Sequence, residues 1–172
     1  MIDLERGPAE EFAAATAPLF EGAPRFLARL AAARPFGSAD ELFERARAIA
    51  HAMPEDEQLE LVDAHPRLGA PPGSVSALSF VEQGYDRMSA DTAAEAERTR
   101  VAASLDRLNA TYEDRFGFRY CTFVAGRPRP ALLPEFEAAL DRGRNEELHR
   151  ALDAVIDIAI DRHAKLSAEE SR

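Results

Sequence analysis

The chain has 172 residues, 46% hydrophobic and 30% charged, and its 31 Asp and Glu outweigh 21 Lys and Arg for a net charge of −10. That length predicts a single domain over residues 1–172 with enough apolar surface for a core. The acidic balance argues against nucleic-acid binding, which depends on basic side chains meeting phosphates. One cysteine, Cys121, excludes an internal disulfide and a Cys-rich zinc site. No stretch approaches the ~18 apolar residues of a spanning helix. Met1 to Arg6 lacks the basic start and apolar run of a signal peptide, so a cytoplasmic protein with no membrane partner is expected.

Apolar residues recur at three- and four-residue steps, which predicts an all-α fold with short connections. Ser38 and Glu41 form a capping-box pattern at the head of a helix running to about Met53, with Leu42, Phe43, Ala46, Ile49 and Met53 on its inner face. Pro54 starts the next helix, which must end near His65 because a residue before proline is pushed out of the helical region. Gly69 to Ser74 reads as a loop. A long helix is predicted from near Asp91 to about Arg115, on the repeat Val101, Leu105, Leu108, Tyr112, with Gly117 placed to cap its end.

Phe118 to Val124 is aromatic and β-branched in an Ala-rich chain, so it is expected to be extended. Gly126 to Pro130 is a turn, and Pro134 makes the next helix start irregular before Phe136 to Asp141 settles into it. Asn145 is expected to cap a final helix running toward Leu166.

Three places stand out chemically. In the last helix Leu148, Leu152, Val155, Ala159, Arg162 and Leu166 form one stripe, so a charged Arg162 lies where a core residue belongs. Spacing alone favours an aliphatic stem with the guanidinium reaching solvent; the other reading is an arginine lining a pocket, where its fork suits a carboxylate or urea-like oxygen. His65 precedes Pro66, which fixes the chain direction just after the imidazole. A histidine there commonly caps the last helix carbonyls, but it also suits a general acid or base that must be held still. Ser79, Glu82 and Gln83 share one helix face, and spacing alone favours a capping box between Ser79 and Glu82. His51, His149 and His163 fall off their apolar stripes and read as solvent-facing. No zinc-peptidase, calcium-loop, phosphate-loop or serine-elbow motif is present, so no metal is expected.

Taken in order, His65-Pro66-Arg67-Leu68-Gly69, Ser79-x-x-Glu82-Gln83 and Leu108-Asn109-x-x-Tyr112-x-x-x-Phe116-Gly117-Phe118 resemble the OHCU decarboxylase family. OHCU is 2-oxo-4-hydroxy-4-carboxy-5-ureidoimidazoline, the unstable intermediate between urate and (S)-allantoin. The likeness runs from about Phe20 to Leu166 and includes Asn145, Glu147 and Arg162. It implies a single all-helical domain with the extended segment lining the pocket, a homodimer, and cofactor-free decarboxylation to (S)-allantoin.

The resemblance assigns His65 as the catalytic imidazole and Glu82 as its acidic partner. It makes Arg162, Ser79 and Gln83 substrate contacts, Pro66 part of the wall, and Phe118, Tyr120, Cys121 and Thr122 part of a segment whose backbone donors face the ring. The loop between His65 and Ser79 is shorter than is usual in the family, and Pro128, Pro130 and Pro134 replace a more regular helix start. Val155, Ile156, Ile158 and Ile160, apolar on more than one face of the last helix, also point to a dimer. Rival readings are a non-catalytic helical module that binds a ligand or partner, and a metal-dependent hydrolase using His65 and Glu82 with further ligands.

Overall fold

The computed structural model describes residues 7–87 and 92–170. Its helices are α1 (Ala9–Thr16), α2 (Pro24–Ala32), α3 (Ala39–Ala52), α4 (Glu55–Ala64), α5 (Ala77–Glu82), α6 (Thr92–Phe116), α7 (Arg129–Ala139) and α8 (Arg144–Glu170). Among the described residues there is no strand, in keeping with the all-α expectation. The described chain divides into two compact units, one of residues 7–65 and 148–170 and one of residues 66–147.

In the first unit α2 packs against α1, α3 and α4. Its core includes Phe12, Phe20, Phe26, Leu30, Phe43 and Leu61, with Leu152, Val155, Ile156 and Ala159 of α8. The expected α3 is present, and the Ser38 hydroxyl accepts the Glu41 N–H at 3.1 Å, a cap that contributes typically ~1 kcal/mol. Arg47 on α3 reaches Asp153 at 2.6 Å and Asp157 at 2.7 Å on α8. Arg25 and Arg29 of α2 pair with Asp56, Glu60 and Glu57 of α4. Such exposed pairs contribute only ~0–1 kcal/mol each and set register more than stability. As predicted, α4 ends before Pro66: His65 is already extended at φ −76°, ψ 139°.

In the second unit the predicted α6 stripe is realised, with Val101, Leu105, Leu108, Tyr112 and Phe116 all buried. Gly117 follows at φ +79° and its N–H donates to the Glu113 carbonyl at 2.8 Å, the left-handed ending that glycine adopts without steric cost. Tyr112 centres an aromatic cluster, with ring centroids 4.5 Å from Phe116, 5.6 Å from Phe118 and 5.3 Å from Tyr120. Tyr120 stacks on Phe136 of α7 at 3.7 Å. Residues 118–124 are accordingly neither helix nor strand, because the Phe118 and Tyr120 rings anchor them in this cluster. The cluster edge holds a buried carboxylate: Glu147 accepts from the Tyr112 hydroxyl at 2.8 Å and from Arg142 at 2.9 Å.

Several expectations are corrected. Helix α7 begins at Arg129, ahead of Pro134. Pro130 falls in the first turn, where no N–H is needed, and burial of Leu132 and Phe136 holds the helix through Pro134. Helix α8 begins one residue before Asn145, and the Gly143 carbonyl accepts the Glu147 N–H at 3.0 Å, so Gly143 takes the capping position. His51 and His163 are half-buried: His51 bonds Asp153 at 2.9 Å and the His163 ring meets Phe43 edge-on at 5.5 Å. Asp91, the expected start of α6, lies outside the described residues.

Candidate active site

His65 terminates α4 in the first unit and is 4% exposed. Its Nδ1 lies 3.2 Å from the Leu61 carbonyl, one helical turn back. A carbonyl only accepts, so Nδ1 carries the proton of the neutral ring and Nε2 is the basic nitrogen. Burial, and next the charge of Arg162, push the His65 pKa down to about 4, against the opposing effects of Glu21 and the Leu61 bond. The imidazole is therefore neutral near pH 7, with Nε2 unprotonated. An ordinary histidine pKa of ~6.5 would have left it partly charged.

Arg162 is 1% exposed, so its guanidinium does not reach solvent as spacing alone had favoured. Nη1 donates to the Pro18 carbonyl at 2.8 Å and Nη2 to Glu21 Oε1 at 2.7 Å. The cation is thus paired inside the first unit, which removes the main penalty of burying it. Glu21 and Pro18 were not singled out from the sequence, because the Glu21 to Arg162 separation is 141 residues and no periodicity links them. In the structure the Glu21-Gly22 step is left-handed at both residues, at φ +51° and +78°.

In the second unit, Ser79 does not cap a helix. The N-cap of α5 is Ser76, whose hydroxyl accepts the Ser79 N–H at 3.2 Å; Ser79 lies in the first turn and Glu82 is the last helical residue. Ser79 therefore does not open α5 with a capping box to Glu82. Ser79 is buried and Glu82 half-buried. Gln83 spends both ends of its amide on the loop after Pro66: Oε1 accepts the Gly69 N–H at 2.7 Å and Nε2 donates to the Arg67 carbonyl at 3.2 Å.

Asn109 of α6 adds a bond to the Leu68 carbonyl at 2.9 Å, and the Tyr85 hydroxyl donates to the Ala70 carbonyl. Each residue from Arg67 to Ala70 thus has a main-chain group held by a side chain. A Cβ at Gly69 would meet Leu105 at 2.8 Å, and its φ is +85°, so only glycine fits there.

Glu82 and Gln83 line a cavity of about 360 Å³ in the second unit, together with Val101, Arg98, Arg127 and Arg129. Its arginines have partners: Arg98 bonds Glu95, Arg127 bonds Glu135, and Arg129 donates to the Gln83 carbonyl at 3.0 Å. The Phe118 and Tyr120 side chains and Cys121 are buried, and the Thr122 hydroxyl donates to Glu135 at 2.9 Å. What Phe118 and Tyr120 can offer a ligand is consequently main chain. Among the described residues no three His, Cys, Asp or Glu gather where they could hold a metal ion.

The fold is all-α, and its first unit buries the His65 imidazole and an ion-paired Arg162 guanidinium. The OHCU decarboxylase family model matches residues 5–164, and the chain belongs to that family. It is 30% identical over 150 residues to a 2-oxo-4-hydroxy-4-carboxy-5-ureidoimidazoline decarboxylase of Haloferax volcanii, covering 87% of this chain and 85% of that protein. It is 29% identical to the uric acid degradation bifunctional protein PucL of Bacillus subtilis, covering 99% of this chain and 33% of that one. A crystal structure of OHCU decarboxylase in the presence of (S)-allantoin matches at a TM-score of 0.68 and 22% identity, over 93% of this chain and 98% of the other, and shares its fold.

Proposed function

We propose that this protein decarboxylates 2-oxo-4-hydroxy-4-carboxy-5-ureidoimidazoline to (S)-allantoin and carbon dioxide, without a cofactor, in urate breakdown. The observation that carries the reading is family membership over residues 5–164, a match that takes in His65, Glu82 and Arg162. The same breadth supports treating residues 1–172 as one functional domain, as a relative of similar length is matched over most of both chains.

The chemistry explains why no organic cofactor is needed. When the bond to the carboxylate breaks, its electron pair forms a carbon–carbon double bond to the neighbouring ring carbon, and the adjacent C=N takes up the displaced pair on nitrogen. One proton must then reach the ureido-bearing carbon, on one face, and the hydroxyl proton must leave to form the carbonyl. We assign His65 as the relay. Neutral at rest, it accepts the hydroxyl proton at Nε2, and as imidazolium it delivers a proton to carbon. Solvent supplies the one proton taken up in net, which ends on the ring nitrogen that received the displaced pair. Glu82 is the acidic partner that orients the exchange or grips the ureido nitrogens.

Ser79, Gln83, Pro66 and the main chain of Phe118, Tyr120, Cys121 and Thr122 are proposed to meet the substrate, Gln83 chiefly by shaping the loop it holds. Arg162 is proposed to sit on a ring or ureido oxygen. A strong grip on the departing carboxylate would stabilise the ground state and oppose the reaction. The paired state of Arg162 supports this, since Glu21 already offsets its charge. A homodimer is proposed on the resemblance; Val155, Ile156 and Ile158 are buried in the chain itself, leaving exposed Ile160 of those four to face a partner. A cytoplasmic location is proposed from composition.

The deciding assay generates the substrate in place from urate and follows its decay and the optical rotation of the allantoin, with and without chelator. Faster decay to a single enantiomer, insensitive to chelator, is expected. Unchanged decay to racemic product would instead favour a non-catalytic binding module, and chelator sensitivity a metal enzyme.

A further inference from the structure

Glu21 follows a single 3-10 turn, Ala17–Phe20, in the first unit. Its backbone is left-handed at φ +51°, ψ 26°, a region where glycine or asparagine is ordinarily found and where a glutamate is strained. Glycine comes one position later, at Gly22, so the turn has not been relieved at the residue that needs it. Such a backbone outlier directs attention to what its side chain does. That side chain is 12% exposed and its carboxylate oxygen accepts from Arg162 Nη2 at 2.7 Å. The Pro18 carbonyl, three residues earlier, accepts from Nη1 at 2.8 Å. The short stretch from Pro18 to Glu21 therefore grips both terminal nitrogens of one buried fork and fixes its plane and its rotation.

We propose that Glu21 is a positioning residue for the decarboxylation: it aims the Arg162 guanidinium and offsets its charge beside the His65 imidazole. The assignment rests on the functional reading given above. His65, Arg162 and Glu21 all belong to the first unit, and both charges act on the imidazole in opposite senses. Without the carboxylate, the buried cation would lose the ion pair that offsets it where the mechanism forms an imidazolium, and the two like charges would oppose each other more strongly when the proton is carried. With it, the pair is neutral and the relay can charge. The fork, held at two points, also keeps one orientation toward substrate and so helps select the face that is protonated.

The test uses the full chain and the decay assay, reading kcat, KM and the enantiomeric purity of the allantoin, with circular dichroism and the thermal midpoint as measures of fold. Glu21→Gln keeps the shape and removes the charge. Glu21→Gly removes the carboxylate but relieves the left-handed backbone, so it keeps the experiment decisive if the first variant folds poorly. Glu21→Asp restores the charge. Asp157→Asn, which breaks the exposed Arg47 pair, is the control for ordinary ion-pair loss.

Folded Gln and Gly variants should lose about 10- to 100-fold, mainly in kcat, and yield less optically pure product, with partial recovery in Glu21→Asp and none of this in Asp157→Asn. Arg162→Lys combined with Glu21→Gln should be little worse than Arg162→Lys alone. If the folded Gly variant turns over within twofold of wild type with unchanged optical purity, the carboxylate serves stability alone and the assignment is overturned. If wild type itself does not speed decay, the functional reading fails first and the assignment falls with it, an outcome distinct from an active wild type beside unaffected variants.

Discussion

The Ser76 hydroxyl accepts the Ser79 N–H at 3.2 Å, which makes Ser76 the cap of α5 and leaves Ser79 inside the first turn. One serine thus holds the start of α5, and Glu82 lies at its other end.

Ser76→Ala should accordingly lower stability by about 0.5–2 kcal/mol with activity per folded molecule kept. Glu82→Gln and Glu82→Ala should do the reverse, leaving the denaturation midpoint within ~0.5 kcal/mol of wild type while cutting turnover ~10²–10⁴-fold. The double variant with His65→Asn should lose far less than the product of the single losses, since residues that act as a unit are not additive. Glu82 variants retaining more than about a tenth of wild-type turnover would contradict a role in proton transfer.

The low pKa of His65, about 4, has a definite sign in stability. Its folded value lies below the ordinary ~6.5, so between those values the unfolded chain binds a proton that the native imidazole refuses. Stability from this group is complete above pH ~6.5 and is lost as pH falls from there toward 4, by an upper bound of about 3 kcal/mol. Urea denaturation at stepped pH should show this decline in wild type and a shallower one in His65→Asn. In the same window kcat/KM of wild type should stay level from pH 7 to about 5 before falling, unlike an enzyme limited by an ordinary histidine.

The main chain of the loop from Arg67 to Ala70 is held by the side chains of Gln83, Asn109 and Tyr85. Gly69→Ala should destabilise by about 1–3 kcal/mol, because it adds strain at positive φ and drives a methyl into Leu105. Gln83→Leu removes two bonds to that loop and should cost about 1–3 kcal/mol by leaving the Gly69 N–H and Arg67 carbonyl without that partner. A proteolysis assay cutting faster within this loop in both variants would check the local origin of the effect.

Glu147 offers a stability test away from the chemistry. Tyr112→Phe removes the hydroxyl that donates to its buried carboxylate and should cost about 1.5–3 kcal/mol, with kcat unchanged. A change in kcat without loss of stability would show that the aromatic cluster bears directly on the reaction.

The sequence by itself determined most of the helical frame. The α6 stripe, the Ser38 cap, the Pro66 stop and the Gly117 ending are written in spacing and in local backbone preference, which act over a few residues whatever the rest of the chain does. It also showed that Arg162 stands within an apolar stripe, and the ordered motifs pointed to the family. Local rules misled at two places: spacing favours a capping box at Ser79 where Ser76 holds the helix, and Pro134 predicts an irregular helix start that the burial of Leu132 and Phe136 outweighs.

Only the tertiary structure decided the state of the charged groups. Whether Arg162 reaches solvent or is buried depends on a carboxylate 141 residues away, and whether His65 is an ordinary or a depressed base depends on how much water the fold excludes around it. Those energies arise from desolvation and from charges that only folding brings together, so they have no counterpart in the period or spacing of a linear chain.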